Sequence, residues 1–432
     1  MISNLPELYN CFLDANQQIC RDTRKNVTDS FFVCLKGENH DANLIAEKAK
    51  EAGAKYVLTN RSDLKGKQGY LIVEDTLNAL QGLANYHRKQ LGTPLIAIGG
   101  SNGKTTTKEL LYSVLSKHLS VHATPGNFNN HIGVPLTLLQ LRKEHDLGII
   151  EMGINHPDEM TELCNIAEPN EGVLTNIGKE HLEGFGSIEG VARAESELFD
   201  YLLKNEGLCY INLDDQWIES MSKRLPNKKT YSIEKEADVH YTATEVNPRI
   251  SLSYHGNPIQ SVLSGTYNYS NIITAIAIAE QHNIPKELIA KGISSYIPSN
   301  NRSEWKATEH NEILVDCYNA NPSSMVLTIQ NVLEMPNPEK LFIIGDMLEM
   351  GSFAEPEHIN ILNLAKQHAS TSTHFIFIGP EFGKQKGAYA FAFFNDTSEC
   401  IAKMKGDALL KNKLVLLKAS RGIKLEDLLT IL

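Results

Sequence analysis

A glycine-rich turn between an apolar strand and a helix constrains the fold of this chain more than any other feature. Residues 95–107 read LIAIGGSNGKTTT, so an apolar run leads directly into the turn and a helix pattern follows it. Glycines let successive backbone N–H groups face one concavity, where the positive end of the helix favours an anion. Lys104 adds a charge for phosphates, and Thr105 adds a hydroxyl for Mg²⁺. Ile98 replaces the first glycine of the strict P-loop pattern, but the remaining core still predicts a site for ATP or GTP.

Apolar runs that alternate with helix patterns predict an α/β fold with three domains in the 432 residues. The predicted units are a small α/β domain at 1–85, a central P-loop domain with a parallel sheet at 86–297, and a C-terminal Rossmann-like domain at 298–432. Strands are expected at 31–35, 56–59, 95–98, 147–151, 172–176, 313–317, 341–344, 375–378 and 414–417, and helices at 42–52, 104–118 and 157–166. Parallel sheets of this kind bind ligands at the carboxyl ends of their strands.

Composition disfavours several classes of protein. The net charge is −11 and the two signs are interspersed, which disfavours nucleic acid as a partner. Apolar runs stay shorter than the ~18 residues of a membrane-spanning helix, which disfavours membrane insertion. The seven cysteines have no C-x-x-C spacing, and the N-terminal sequence lacks the pattern of a secretory signal. We therefore expect a cytoplasmic protein, and the lack of a long heptad pattern or apolar tail favours a monomer.

Polar residues that follow neighbouring strands are candidates for one shared edge of the central sheet. Glu151 ends the strand after the phosphate loop, where a carboxylate suits a nucleotide-bound Mg²⁺. His181 lies in a glycine-rich loop after the next strand, although a lone histidine can also be structural. Asn127, Asn129 and Asn130 offer amide groups to a polar ligand, and a flexible surface loop is the alternative interpretation.

These segments resemble the Mur ligase family, whose members form amide bonds of the peptidoglycan precursor at the expense of ATP. The similarity extends over most of the chain, including GSNGKTTTKE, PGNFNNHIGVPLTLL, EMGINHPDEM, NIGKEHLEGFGS, GTYNYSN, NRSE, DCYNANP, GDMLEMG and KASRGIKLE. HLEGFGS, YNANP and GDMLEMG look like the member that adds D-alanyl-D-alanine to UDP-N-acetylmuramoyl-tripeptide. The Asp-Asn-Pro-Arg signature of the diaminopimelate-adding member is absent from the sequence. The resemblance thus implies a role in cell-wall synthesis, and through it in cell shape and cell division.

The resemblance also implies a mechanism and a set of site residues. ATP would phosphorylate the substrate carboxylate with the help of two Mg²⁺ ions, and the dipeptide amine would attack the acyl phosphate. Catalytic residues would be Lys104, His181 and Glu195, and metal ligands would be Thr105, Glu151, His181 and Glu195. The ATP site would contain Gly100, Ser101, Asn102, Gly103, Lys104, Thr105, Thr106, Asn268, Asn271, Arg302 and Asp316. The UDP end of the substrate would contact Thr23, Arg24, Lys36, Gly37 and Glu38. The muramoyl peptide or the phosphates would face Asn127, Asn129 and Asn130, and the dipeptide side would include Asn319, Asn321, Asp346 and Glu349.

Three positions depart from the family pattern. Glu195 stands where the family has a carbamylated lysine that binds the second Mg²⁺. The glutamate is shorter and could reach a cation only through a water or a shifted helix. Either Glu195 replaces the carbamate or the second Mg²⁺ is held weakly. We expect replacement, which would make the enzyme independent of bicarbonate. Gly99 replaces a threonine, with added loop flexibility as the expected effect, and Tyr267 replaces the histidine of the family's H-N-x-x-N motif.

The sequence leaves other functions open. Another Mur-type or folylpolyglutamate-type ligase would differ in the carboxylate substrate that triggers ADP release. A nucleotide-binding relative without catalysis, or a partner-binding regulator, is supported only by Glu195 and would show no turnover. A switch GTPase is disfavoured because no guanine-reading segment of the Asn-Lys-x-Asp type is visible. The third residue of the peptide substrate, meso-diaminopimelate or lysine, is not determined by the sequence.

Overall fold

The N-terminal part of the protein is built on a four-stranded parallel sheet. The structure is a computed structural model that describes residues 4–37 and 40–432, so Glu38 lies outside the described residues. The strands are β1 (Ile19–Cys20), β2 (Phe31–Val33), β3 (Tyr56–Thr59) and β4 (Tyr70–Ile72), in the order β1-β2-β3-β4. The helices are α1 (Leu5–Asp14), α2 (Ala46–Glu51) and α3 (Thr76–Leu91).

Helix α3 joins this first sheet to the rest of the chain. The Asp75 side chain caps its start by accepting a hydrogen bond from the backbone N–H of Asn78, and Gly92 ends it with a left-handed φ of 69°. The helix packs on α1 on one side and on helices of the central region on the other. The boundary expected after residue 85 therefore falls inside a continuous helix. The amphipathic pattern of α3 continues without a break across residue 85, so the sequence did not show that one helix spans the expected boundary.

The central region contains a seven-stranded sheet in which all strands are parallel. Its strands are β5 (Leu95–Gly99), β6 (Val121–Ala123), β7 (Leu147–Glu151), β8 (Glu171–Leu174), β9 (Leu208–Asn212), β10 (Lys228–Ser232) and β11 (Val239–His240), in the order β11-β10-β9-β8-β5-β7-β6. The helices are α4 (Lys104–Leu115), α5 (Gly133–Leu138), α6 (Glu159–Ala167), α7 (Leu182–Phe185), α8 (Ile188–Lys204), α9 (Gln216–Ser222), α10 (Thr266–Gln281) and α11 (Lys286–Ser294). Because β5 lies between β7 and β8, the loops after these three strands meet at one edge.

A small antiparallel sheet follows the central one. It consists of β12 (Ala243–Glu245), β13 (Ser251–Tyr254) and β14 (Asn257–Gln260). The turn between β13 and β14 places His255 and Gly256 at φ 47° and 81°. This sheet was not predicted from the sequence, because its strands are only three or four residues long and carry no continuous apolar run.

The C-terminal region holds a six-stranded sheet with helices on its faces. Its strands are β15 (Glu304–Ala307), β16 (Glu312–Asp316), β17 (Lys340–Gly345), β18 (Thr373–Ile378), β19 (Ala392–Phe394) and β20 (Leu414–Lys418), in the order β15-β16-β20-β17-β18-β19. Only the edge strand β15 pairs antiparallel within this sheet of the described chain. The helices are α12 (Pro322–Glu334), α13 (Ala354–His368), α14 (Pro380–Gly383) and α15 (Thr397–Met404). Phe342 and Ile344 pack in the core on one face, and Leu341 and Ile343 in the core on the other.

The predicted α/β fold class is confirmed, and strands form at or within about two residues of every predicted strand. The helix expected at 42–52 begins as a 3₁₀ turn at Ala42–Ile45, which the Asp41 side chain caps, before α2 continues it. Helix α4 ends at Leu115 rather than at residue 118. No helix in residues 4–37 and 40–432 is long and apolar enough to cross a membrane.

Candidate active site

A cavity of about 440 Å³ lies where strand ends of the central sheet face strand ends of the C-terminal sheet. Its wall includes the loops after β5, β7 and β8 on one side and those after β16 and β20 on the other. Most of the predicted site residues line it: Ser101, Asn102, Gly103, Lys104, Thr105, Thr106, Asn127, Asn129, Asn130, Glu151, His181, Asn268, Asn271, Arg302, Asp316, Asn319 and Asn321. The fold therefore brings these residues to one place although they come from distant parts of the chain.

The phosphate loop leaves β5 and enters α4 through two glycines in left-handed conformations. Gly100 and Gly103 have φ values of 107° and 82°, a region that L side chains rarely adopt. A Cβ atom at Gly103 would also lie 2.6 Å from Asn271 Oδ1. The N–H of Ser101 donates to the carbonyl of Asn176 at 2.8 Å, which ties the loop to the strand-end segment after β8. These contacts explain why the turn needs glycine at both positions.

Thr105 and Glu151 form a pair of hard oxygen donors at the cavity. Thr105 Oγ1 lies 2.9 Å from both carboxylate oxygens of Glu151. Asn129 Nδ2 donates to Glu151 Oε1 at 2.9 Å, and Lys108 Nζ lies 3.5 Å from Oε2. A hydroxyl and a carboxylate beside a phosphate loop suit Mg²⁺, which keeps several waters and takes few protein ligands. Among the described residues, no group of three or more His, Cys, Asp or Glu side chains could by itself hold a metal ion.

Lys104 lies among carboxylates, including one that the sequence analysis missed. Its Nζ atom contacts the carbonyl of Gly100 and lies 3.5 Å from Glu180 Oε2. Burial alone would lower the pKa of Lys104, but Glu180, Glu195 and Glu151 together raise it, so the ammonium group stays charged. Burial raises the pKa of the Glu180 carboxyl, and Lys104 opposes that shift. Glu180 directly precedes His181, and this adjacency was the available signal for it.

His181 also lines the cavity, and Glu349 of the C-terminal region orients it. Its Nδ1 atom lies 3.0 Å from Glu349 Oε2. Burial, together with the charge of Lys104, lowers the pKa of His181, so the ring is neutral at physiological pH. A neutral ring whose Nδ1–H donates a hydrogen bond to a carboxylate keeps the lone pair on Nε2. Metal-binding histidines are commonly held in this way. Its environment therefore suits the predicted role as a ligand.

Glu195 lies behind the phosphate loop rather than on the cavity wall. Its side chain is fully buried, and Oε2 accepts a hydrogen bond from the N–H of Gly100 at 2.8 Å. From the sequence, this carboxylate was expected to reach a cation through a water or a shifted helix, whereas in the structure its Oε2 atom is bonded to the loop backbone. Added loop flexibility was the effect expected of Gly99, but the structure gives a steric reason for glycine at this position. A Cβ atom there would lie 2.8 Å from Glu195 Oε2.

The C-terminal wall of the cavity carries a stack of cations on an aromatic ring. The guanidinium carbon of Arg302 lies 3.7 Å from the Tyr318 ring centroid, and that of Arg421 lies 5.2 Å from it. Lys418 Nζ pairs with Asp316 at 2.8 Å. No role was predicted from the sequence for Tyr318, Lys418 or Arg421, although the last two lie in the KASRGIKLE segment that resembles the family.

Buried side-chain hydrogen bonds hold the two predicted asparagines of α10. Asn271 Oδ1 accepts from Thr107 Oγ1 at 3.2 Å, and Asn268 Nδ2 donates to the carbonyl of Ser264 at 3.0 Å. Tyr267, which replaces the family's histidine, is also at the cavity, and burial raises the pKa of its hydroxyl. The α10 helix thus fixes the amide groups against the phosphate loop.

Some predicted residues lie elsewhere. Thr23, Arg24, Lys36 and Gly37 belong to loops of the first sheet and do not line this cavity. Arg24 is 88% exposed and pairs with Asp22 at 2.8 Å.

Asp346, placed on the dipeptide side from sequence, is buried instead. Its carboxylate accepts hydrogen bonds from the N–H groups of Glu381 and Phe382, so it caps the short helix α14. That expectation is therefore corrected, because both oxygens already serve the fold.

Two family models match this chain. The Mur ligase middle domain matches residues 98–279, and the Mur ligase, glutamate ligase domain matches residues 301–421. Together they cover more than half of the chain. The chain belongs to the Mur ligase family. The family expectation from the sequence is therefore confirmed, and membership makes the chain an enzyme of the ligase class.

Similar members of the family match nearly the whole chain. The UDP-N-acetylmuramoyl-tripeptide–D-alanyl-D-alanine ligase of Bacillus subtilis (strain 168) is 33% identical over 95% of this chain and 92% of its own length. The ligase of the same name from Escherichia coli (strain K12) is 33% identical over 96% and 93%. A crystal structure of MurF from Acinetobacter baumannii superposes with a TM-score of 0.86 at 28% identity, covering 96% of this chain and 92% of that one.

Proposed function

We propose that this chain is the ATP-dependent ligase that joins D-alanyl-D-alanine to UDP-N-acetylmuramoyl-tripeptide through an acyl phosphate. It would act in the cytoplasm in the synthesis of the peptidoglycan precursor. The observation that carries the proposal is the single cavity that holds a phosphate loop, a hydroxyl and carboxylate pair, and a cationic wall from a second sheet. Relatives with the name of this reaction match over nearly the whole chain, which supports the same substrates here.

ATP binds in this proposal between the central and C-terminal sheets. The N–H groups of residues 103–106 and the Lys104 side chain hold the phosphates, with Asn268 and Asn271 behind them. Arg302 and Asp316 approach from the other wall. Thr105 and Glu151 would hold one Mg²⁺, and His181 would be a ligand of a second. A bound Mg²⁺ would screen the negative charges of the phosphates and the substrate carboxylate.

The reaction then has two balanced steps. A carboxylate oxygen of the tripeptide forms a bond to the γ-phosphorus as the bond to ADP breaks, which gives the acyl phosphate. The dipeptide amine next attacks the acyl carbon, loses a proton, and expels inorganic phosphate as the amide forms. The chain contributes mainly position and charge, as is usual for phosphoryl transfer. Asn127, Asn129 and Asn130 would hold the muramoyl peptide, and Asn319, Asn321 and Glu349 would face the dipeptide.

The UDP end of the substrate would bind at the first sheet, through Thr23, Arg24, Lys36 and Gly37. We keep the three-domain division as part of the proposal, with the first boundary moved to the end of α3. Arg21, in the loop after β1, supports a path from this sheet to the cavity. Its guanidinium lies 5.4 Å from the ring centroid of Phe128, which is in the segment that carries the three asparagines.

The experiment that tests the function is ADP release by the purified protein with ATP, Mg²⁺, UDP-N-acetylmuramoyl-tripeptide and D-alanyl-D-alanine, omitting one component at a time. We expect release only when both the tripeptide and the dipeptide are present. Tripeptides with meso-diaminopimelate and with lysine as third residue are compared in parallel. Lys104→Ala is the inactive control. Release with a different carboxylate substrate would indicate another ligase of the family, and no release with ATP still bound would indicate a relative without catalysis.

A further inference from the structure

The buried carboxyl group of Glu195 lies directly behind the phosphate loop, next to Gly99, which has no side chain. Glu195 is fully buried on α8, with Oε2 bonded to the N–H of Gly100 at 2.8 Å. Its Oε1 atom has no hydrogen-bond partner within the part of the chain that the structure describes. A Cβ atom at position 99 would lie 2.8 Å from Oε2 and 2.8 Å from Leu174 Cδ2. The carboxylate can therefore reach the loop only because residue 99 is glycine.

Two ionisable side chains bond to the backbone of Gly100, one at its N–H and the other at its carbonyl oxygen. Glu195 accepts from its N–H, while the ammonium of Lys104 donates to its carbonyl oxygen. Lys104 is the residue that would contact the phosphates of ATP. A shift of Gly100 would therefore change both the direction of the loop amides and the place where Lys104 rests. Buried charged groups in such a chain act strongly on one another because water does not screen them.

We infer that Glu195 is a positioning residue of the phosphate loop, which acts through Gly100, and that Gly99 is the partner that makes this contact possible. In this arrangement the chain itself supplies the buried carboxyl group behind Lys104, so no carbon dioxide has to be added to a side chain. Activity of the unmodified protein is accordingly independent of bicarbonate. The inference rests on the proposed function only for this last readout, since nucleotide binding can be measured without the ligase substrates.

The test is the affinity for ADP, measured by calorimetry with EDTA and again with Mg²⁺. Glu195→Ala removes the acceptor of a buried N–H, and we expect roughly tenfold weaker ADP binding even with EDTA. Glu195→Gln keeps an oxygen for Gly100, and we expect a loss of no more than about threefold. Glu189→Ala, an exposed carboxylate on the same helix, is the matched control and should bind ADP as the unmodified protein does.

Gly99→Ala supplies a second test if Glu195→Ala does not fold. The added methyl pushes on the carboxylate, so ADP binding with EDTA should weaken several-fold. In a folded Glu195→Ala background the same methyl should cost less than in the unmodified protein, because its contact with Oε2 is gone while those with Leu174 and Met160 remain. Losses that occur only with Mg²⁺ would overturn the inference in favour of direct cation ligation. Equal losses in Glu195→Ala and Glu195→Gln would contradict the bond to Gly100 as the cause, and so would stimulation of wild-type turnover by bicarbonate. Absence of ligase turnover with intact ADP effects would instead refute the proposed function alone.

Discussion

Arg421 is the residue for which the structure makes the sharpest new prediction about substrate. It stacks on Tyr318 at the cavity, and no carboxylate in residues 4–37 or 40–432 forms an ion pair with it. The dipeptide carries a C-terminal carboxylate, and the residues expected on its side from sequence include no cation. We expect Arg421→Ala to raise the KM for D-alanyl-D-alanine about tenfold or more, as loss of a charged hydrogen bond would. The KM for ATP should stay nearly unchanged in steady-state assays.

A dipeptide amide, which lacks the carboxylate charge, is the second arm of this measurement. It should be a poorer substrate than the dipeptide for the unmodified protein, and equally poor for both proteins if Arg421 binds that carboxylate. Arg249→Ala, an exposed arginine outside the cavity, is the control. A KM that rises for ATP rather than for the dipeptide would assign Arg421 to the nucleotide instead.

His122 gives a prediction about stability and pH. Its Nε2 atom is bonded to the carbonyl of Thr137 at 3.0 Å, and its ring stacks on His145. Burial, with a contribution from His145, lowers the pKa of His122 from its ordinary 6.5 to about 4. The unfolded chain thus binds more protons between these values. The contribution to stability is complete above about pH 6.5 and is lost as the pH falls toward 4. When thermal unfolding is measured from pH 4.5 to 7.5, the Tm of His122→Gln should fall less at acid pH than that of the unmodified protein. Parallel curves of Tm against pH would contradict this.

At the scale of residues, the sequence located cavity side chains that lie at strand ends of the central sheet and missed those that depend on the approach of another sheet. Thr105 and Glu151 could be placed because β5 and β7 are apolar runs whose ends must share an edge. Arg421 could not be placed, because its meeting with Tyr318 depends on how β20 and β16 are ordered in the C-terminal sheet. Glu195 could be singled out as unusual, but its direction depends on the absence of a side chain at Gly99.

Among the elements, helix α12 connects its own capping to the nucleotide site. Asn321 accepts from the N–H of Ser324 at 2.8 Å in a capping box, and its Nδ2 donates to Asn102 Oδ1 at 2.9 Å. Asn321→Ala should lower the free energy of unfolding by about 1 kcal/mol and also raise the KM for ATP. Asp396→Ala removes the cap of α15 and is the matched control. It should cost similar stability in denaturant titrations with no change in KM, and an equal KM effect in both variants would refute the link to the loop.

Elements with one strong periodic pattern could be predicted, and elements that depend on pairing could not. An apolar run, two glycines and a long helix pattern predict the β5 strand and the α4 helix. The antiparallel strands β12 to β14 and the edge strand β15 are short and partly exposed, so their residues read as loop. They exist because a neighbouring strand satisfies their backbone groups, and that neighbour is not visible in a local window.

At the scale of the whole molecule, one loop after β8 connects the central region to the C-terminal sheet. Lys179 Nζ lies 2.6 Å from Glu357 Oε1, and the N–H of Lys179 donates to Ser323 Oγ at 2.9 Å. The contact of His181 with Glu349 lies two residues further along the same loop. The same loop therefore carries His181, a proposed ligand of the site, and the contacts that hold the second wall over it, so binding and closure should be coupled.

Glu357→Gln tests this coupling because it removes one charge and little volume. The Glu357 side chain is only 10% exposed, whereas Lys179 is 46% exposed, so the pair is partly screened and worth up to about 1 kcal/mol. We expect kcat/KM for ATP to fall about two- to fivefold and the radius of gyration in solution scattering to increase. Added salt should lower kcat/KM for ATP of the unmodified protein toward the value of the variant, since salt screens the same ion pair. Lys384→Ala breaks the ion pair with Glu381 inside the C-terminal region and should leave both quantities unchanged. A variant that loses catalytic efficiency at constant radius would show that the pair orders the β8 loop locally and does not hold the two walls together.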